Sequence, residues 1–153
     1  MLFLTIFSCQ ENEVKTLEIG TYRGSLIAQD NQLVPFIFEV TSETTLKIFN
    51  AEEVIEVDEI EYKNDSIFIK LPYFETVIAA KLDGNNFQGQ WIEEDRDRSV
   101  AIYAEYDVKN RFDEPESSNI DVSGVWEMEF NDYGNIYPAK AVLIQNENII
   151  TGT

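Results

Sequence analysis

The sequence predicts an all-β protein: an antiparallel meander forming a barrel- or sandwich-like module, followed by an incomplete second β module. Three observations carry this prediction. Val34, Phe36, Phe38 and Val40 alternate with Pro35, Ile37, Glu39 and Thr41, and Trp126, Met128 and Phe130 alternate with Glu127, Glu129 and Asn131. A period of two puts one face of each strand in a core and the other in water. The apolar runs are punctuated by Asp30-Asn31, Asn64-Asp65, Asp83-Gly84-Asn85-Asn86 and Asn146-Glu147-Asn148, residue types that tolerate the left-handed backbone of tight hairpins. No segment sustains an apolar stripe at helical spacing.

Residues 2–7 are almost wholly apolar and are followed by Ser8 and Cys9. The run is far shorter than the roughly 20 residues of a membrane-spanning helix and fits the apolar region of a secretory signal ending at small residues. Ile6-Phe7-Ser8-Cys9 resembles a bacterial lipobox, although Phe7 is bulky where a small residue is usual. The resemblance implies acylation of Cys9 and attachment to a membrane through the lipid. No Lys or Arg precedes Lys15, so translation is expected to start upstream of Met1, or the sequence is clipped there. Residues 1–9 thus read as a lipoprotein signal segment and 10–16 as a tether. The residue after Cys9 is Gln10, not the Asp that retains enteric lipoproteins in the inner membrane, which favours a periplasm-facing place on the outer membrane.

Strands are expected near residues 17–28, 34–40, 45–49, 53–62, 66–71, 76–82, 87–92 and 100–108, making a first β module over 17–109. Strands this short and regularly spaced favour curling into a closed body that removes open edges. Residues 110–121 lose the alternation, contain Pro115 and several charges, and read as a linker. The chain beyond the linker repeats its opening. Gly20-Thr21-Tyr22-Arg23-Gly24 leads to Pro35 fifteen positions after its first Gly, and Gly124-Val125-Trp126-Glu127-Met128 leads to Pro138 fourteen positions after its own. Residues 122–153 therefore read as the truncated start of a second, duplicated module. Two or three strands cannot bury Trp126, Met128, Phe130 and Leu143 between them, so the chain is expected to be a fragment of a longer protein.

Charge and composition exclude several function classes. Eleven Lys and Arg stand against 29 Asp and Glu, a net charge of −18, which is not the basic face a nucleic-acid binder needs. With 44% hydrophobic and 12% aromatic residues the chain is too apolar for a disordered acidic tail. It contains no His, which removes the commonest general base, the His-paired nucleophiles and most zinc sites. Cys9 is the only cysteine, so there is neither an intrachain disulfide nor a C-x-x-C pair. No catalytic residue, cofactor or metal is assigned.

Three clusters remain. Glu93-Glu94-Asp95-Arg96-Asp97-Arg98 is the densest charge run. Without the Gly and terminal Glu of a calcium loop, it reads as a solvated hairpin, as does Asp132-Tyr133-Gly134-Asn135. Six carboxylates, Glu52, Glu53, Glu56, Asp58, Glu59 and Glu61, repel other strands and protect a β protein from edge pairing. Tyr22, Trp91, Tyr103, Tyr106 and Trp126 are candidates to line a small-ligand cavity in a lipocalin-like barrel, Tyr22, Trp91, Tyr103 and Trp126 foremost.

Taken together, Gly20-Thr21-Tyr22-Arg23-Gly24, Leu33-Val34-Pro35-Phe36, Ser123-Gly124-Val125-Trp126-Glu127, Tyr137-Pro138-Ala139 and Ile149-Ile150-Thr151-Gly152-Thr153 resemble the N-terminal half of the TlpA-like thiol-disulfide oxidoreductase lipoproteins of Bacteroidetes. In that family a lipidated Cys precedes β-rich repeats and a thioredoxin-like domain carrying Trp-Cys-x-x-Cys. The similarity spans nearly all of the chain but only the non-catalytic half of that architecture, so no catalytic residue carries over. It implies a membrane-anchored scaffold within an envelope disulfide reductase, with envelope proteins as substrates of the parent. The alternative is a stand-alone lipocalin-like ligand-binding lipoprotein.

Overall fold

The computed structural model describes residues 14–28, 31–73, 75–113, 120–132 and 134–153. Among them every regular element is a strand apart from short 3-10 turns, and the chain divides into two compact units between Arg111 and Phe112.

The first unit holds β1 (Gly20–Ile27), β2 (Leu33–Ser42), β3 (Thr45–Asn50), β4 (Glu53–Val57), β5 (Glu59–Lys63), β6 (Ser66–Lys70), β7 (Thr76–Asp83), β8 (Asn86–Glu93) and β9 (Arg98–Tyr106). They form one antiparallel sheet in the order β4-β3-β2-β1-β9-β8-β7-β6-β5. The two outermost strands are joined by Asp58 alone, so one bent segment serves both sheet edges and the sheet curls into a nearly closed barrel. Pairing of β1 with β9, from Tyr22 opposite Tyr106 to Leu26 opposite Ile102, joins the first and last strands. The tight connections use positive φ where the sequence supplies Asn or Gly: Asn64 at 58° and Gly84 at 61°.

The single strand expected over 53–62 is instead β4 and β5. Val57 and Ile60 are both buried at 1% and 6% exposure. Two inward residues three positions apart cannot share one alternating strand, and the phase change falls at Asp58. That bend moves the chain from β3 to β6 and curls the sheet.

Inward side chains fill the barrel in cross-strand rows. Tyr22 is fully buried and stacks on Phe38, with Tyr106 tilted against it at 5.1 Å and Phe87 6.1 Å from Phe38. One end of the barrel is plugged by the segment before β1. Leu17 is 3% exposed, its N–H donates to the Tyr62 hydroxyl at 3.4 Å, and the Tyr22 hydroxyl donates to the Glu18 carbonyl at 3.1 Å. On the outer surface Arg23 faces Glu105 across β1 and β9, with Nη2 2.9 Å from the carboxylate.

The second unit is a three-stranded antiparallel sheet of β10 (Gly124–Asp132), β11 (Asn135–Asn146) and β12 (Ile149–Gly152) in that order. Its register places Trp126 opposite Ala141, Met128 opposite Ala139 and Phe130 opposite Tyr137. Alternation puts all six on one face, yet Trp126 is 47% and Phe130 58% exposed. Of the hydrophobic residues in these strands only Ala141, at 9%, counts as buried.

This sheet repeats β1–β3 in detail. Gly20 and Gly124 open their strands at φ 146° and 138°. Five residues on, Ser25 faces Pro35 and Glu129 faces Pro138. The aromatic two positions after each Gly donates to the carbonyl four residues back: Tyr22 to Glu18, and the Trp126 indole N–H to Val122 at 2.9 Å.

Candidate functional site

The end of the barrel opposite the Leu17 plug is incompletely filled. It is ringed by Leu26, Ile48 and Trp91 in the later halves of β1, β3 and β8, by Phe36 and Thr76 in the earlier halves of β2 and β7, and by Ile55 at the middle of β4. The loop after β6 adds Leu71, Pro72 and Tyr73. They enclose about 180 Å³ of space between almost wholly apolar walls. Trp91 stands edge-on to Phe36, centroids 6.3 Å apart and planes at 76°, and these two rings form the aromatic side of the cavity. Phe36 reaches its position because Gly24 has no side chain: a Cβ there would occupy the space of the Phe36 ring. The loop is fixed at both ends, the Leu71 N–H donating to the Thr76 carbonyl at 2.9 Å and the Glu94 N–H to the Glu75 carbonyl at 3.3 Å.

The four foremost aromatics of the sequence reading have different places. Trp91 lines the cavity. Tyr22 lies in the packed interior toward the plugged end, where burial pushes its hydroxyl well above the ordinary phenol range. Tyr103 faces outward between Ser25 and Gln88, since its neighbours Ile102 and Ala104 are the buried positions of β9. Trp126 belongs to the other unit. Tyr106 packs on Tyr22. Cys9 lies outside the described residues. The remaining cavity residues went unread because aliphatic side chains at a barrel mouth look like ordinary core residues. The visible signal is Leu71-Pro72-Tyr73, an apolar run lying in a connection.

The acidic runs carry ion pairs instead of a ligand cradle. Residues 93–98 form the turn between β8 and β9, with Glu94–Arg96 a 3-10 turn and Asp97 at φ 47°. Glu93 lies 3.8 Å from Arg96 and 4.0 Å from Arg98. In 52–61, Glu56 is 3.5 Å from Lys47 and Glu59 3.1 Å from Lys70. Among the described residues no three Asp, Glu, Cys or His side chains converge as a metal site would require. Neither a protein-family model, nor a curated protein, nor a solved structure matches the chain.

Proposed function

We propose that this chain is the non-catalytic N-terminal scaffold of a membrane-anchored TlpA-like thiol-disulfide oxidoreductase of the bacterial cell envelope, held through Cys9 and facing the periplasm, on the outer membrane. The observation that carries the reading is the repeat. The motifs that resemble the family are the ones that open β1 and β10 at matching register, with Gly, aromatic and Pro in corresponding places. Tandem modules of this kind space and present a partner domain and need no chemistry of their own. Thiol-disulfide exchange needs an attacking and a resolving thiol, whereas the sequence contains Cys9 alone. The reading therefore assigns the redox pair to sequence outside residues 1–153.

Three measurements test it. Reading the coding frame beyond Thr153 should reveal Trp-Cys-x-x-Cys; a frame that closes after a few more strands defeats the proposal. The present chain should reduce no insulin, and turnover would contradict a scaffold role. Palmitate labelling in a lipoprotein-processing host should vanish with Cys9→Ser, and labelling that persists would refute the anchor.

A further inference from the structure

We infer that the open end of the barrel binds a small uncharged apolar molecule, a single ring or an alkyl segment of about six carbons. The inference stands independently of the scaffold role. Its basis is the match between the cavity and that ligand class. The volume of about 180 Å³ lies near the roughly 150 Å³ at which a cavity lined by Leu, Ile and Phe stays dry and takes up benzene. It falls below the roughly 300–1,000 Å³ of sites for drug-sized ligands, so a retinoid or long-chain lipid would not fit inside.

The walls also select against charge. None of the lining residues is a Lys or Arg, and Glu75 precedes Thr76 while Glu93 follows Trp91 by two positions. A carboxylate-headed ligand seated in the cavity would lose its hydration and find no cation among the walls to receive it. Phe36 and Trp91 stand at 76° to each other, so a third ring entering the cavity has one aromatic face and one edge to pack against, the arrangements that aromatic pairs prefer. Toward the opposite end Leu17 and the Tyr22–Phe38 stack are packed into the interior.

The test uses the full chain with methyl-labelled Ile and Leu, titrated with benzene and, separately, pressurised with xenon. Saturable shifts are expected at Leu26, Ile48, Ile55 and Leu71, with Ile60 and Ile67 unmoved. In a Trp126→Phe background, benzene should change the emission of Trp91. Filling the cavity by Ile55→Trp should weaken benzene binding at least tenfold. Hexan-1-ol should bind more tightly than hexanoate. The proposal is overturned by an absence of saturable shifts up to the solubility of benzene, by equal shifts at Ile60 and Ile67, or by tighter binding of hexanoate. It is also overturned by undiminished binding in a folded Ile55→Trp protein. If that variant fails to fold, the shift pattern of the unsubstituted chain decides alone.

Discussion

Tyr22 lies flat against Phe38, ring centroids 4.9 Å apart and planes 12° from parallel. The pair joins β1 to β2 at the point where β9 also meets β1, since Tyr22 is opposite both Phe38 and Tyr106. Removing the ring by Tyr22→Ala should cost about 3–5 kcal/mol, the usual range for large aromatic truncations in a core. Tyr22→Phe keeps the stack and loses only the hydrogen bond to the Glu18 carbonyl, worth about 1 kcal/mol. Urea unfolding at unchanged slope measures both. Equal costs would mean that the hydroxyl, not the stack, anchors the site.

The same hydroxyl sets a pH dependence. Burial raises the pKa of Tyr22 and of Tyr62 above that of a free phenol. In the folded state these groups keep their protons to higher pH than in the unfolded chain, so the unfolded state deprotonates first. Stability from this source is complete below about pH 10 and declines as pH rises from there toward the folded values. The decline is at most about 1.4 kcal/mol per pH unit for each group. Tyr22→Phe should flatten the loss between pH 10 and 11.5, followed by far-ultraviolet circular dichroism. A variant as alkali-sensitive as the unsubstituted chain would show that Tyr22 titrates normally.

The strands were legible because the barrel wall obeys a local rule, alternation, that each run displays by itself. The phase change between Val57 and Ile60 was not read, because a three-residue spacing inside this run still looks like one strand until the burial of both residues is known. One of the hairpin turns gave little local sign. Asn50 pairs with Glu53 around Ala51, which adopts φ 52° without being Gly or Asn, so the sheet on either side imposes that turn. The cavity was least legible. Phe36 and Phe38 both point inward from β2, and whether they fill a barrel or leave a gap depends on the curvature of nine strands together. Beside the apolar connection Leu71-Pro72-Tyr73, Gly24 was a second local hint, since an inward Gly opposite an inward Phe makes room for a ring.

Two glycines of the barrel should respond differently to Ala. At Gly24 the added methyl meets the Phe36 ring, a side chain that borders the empty end of the barrel and can rotate into it. At Gly89 it meets the Ala79 carbonyl oxygen and the Ala80 backbone of the paired strand, and backbone within a ladder cannot move without breaking pairing on both sides. Gly89→Ala should therefore cost more than about 3 kcal/mol, or prevent folding, and Gly24→Ala about 1–3 kcal/mol, the range for overpacking a core. Thermal unfolding of the two proteins ranks them. If Gly24→Ala proves the worse, Phe36 has no room to yield and the cavity is smaller than it looks.

The second sheet presents Trp126, Met128, Phe130 and Tyr137 on one face, each 39% exposed or more, whereas the equivalent face of β1–β3 is sealed by six further strands of its own sheet. The backbone pairing of β10 to β11 matches that of β1 to β2, from Gly124 opposite Leu143 and Gly20 opposite Val40. Any difference in stability must then come from burial, because three strands without a core are marginal in water. Amides of β11, paired on both sides, should exchange with solvent at least tenfold faster than those of β1, which are also paired on both sides. Acrylamide should quench Trp126 more steeply than Trp91, measured in Trp91→Phe and Trp126→Phe proteins respectively; a neutral quencher is needed because the net charge of −18 repels iodide. Equal protection in β1 and β11, together with a shielded Trp126, would require that this face is already covered in solution by another surface of the chain or by a second copy.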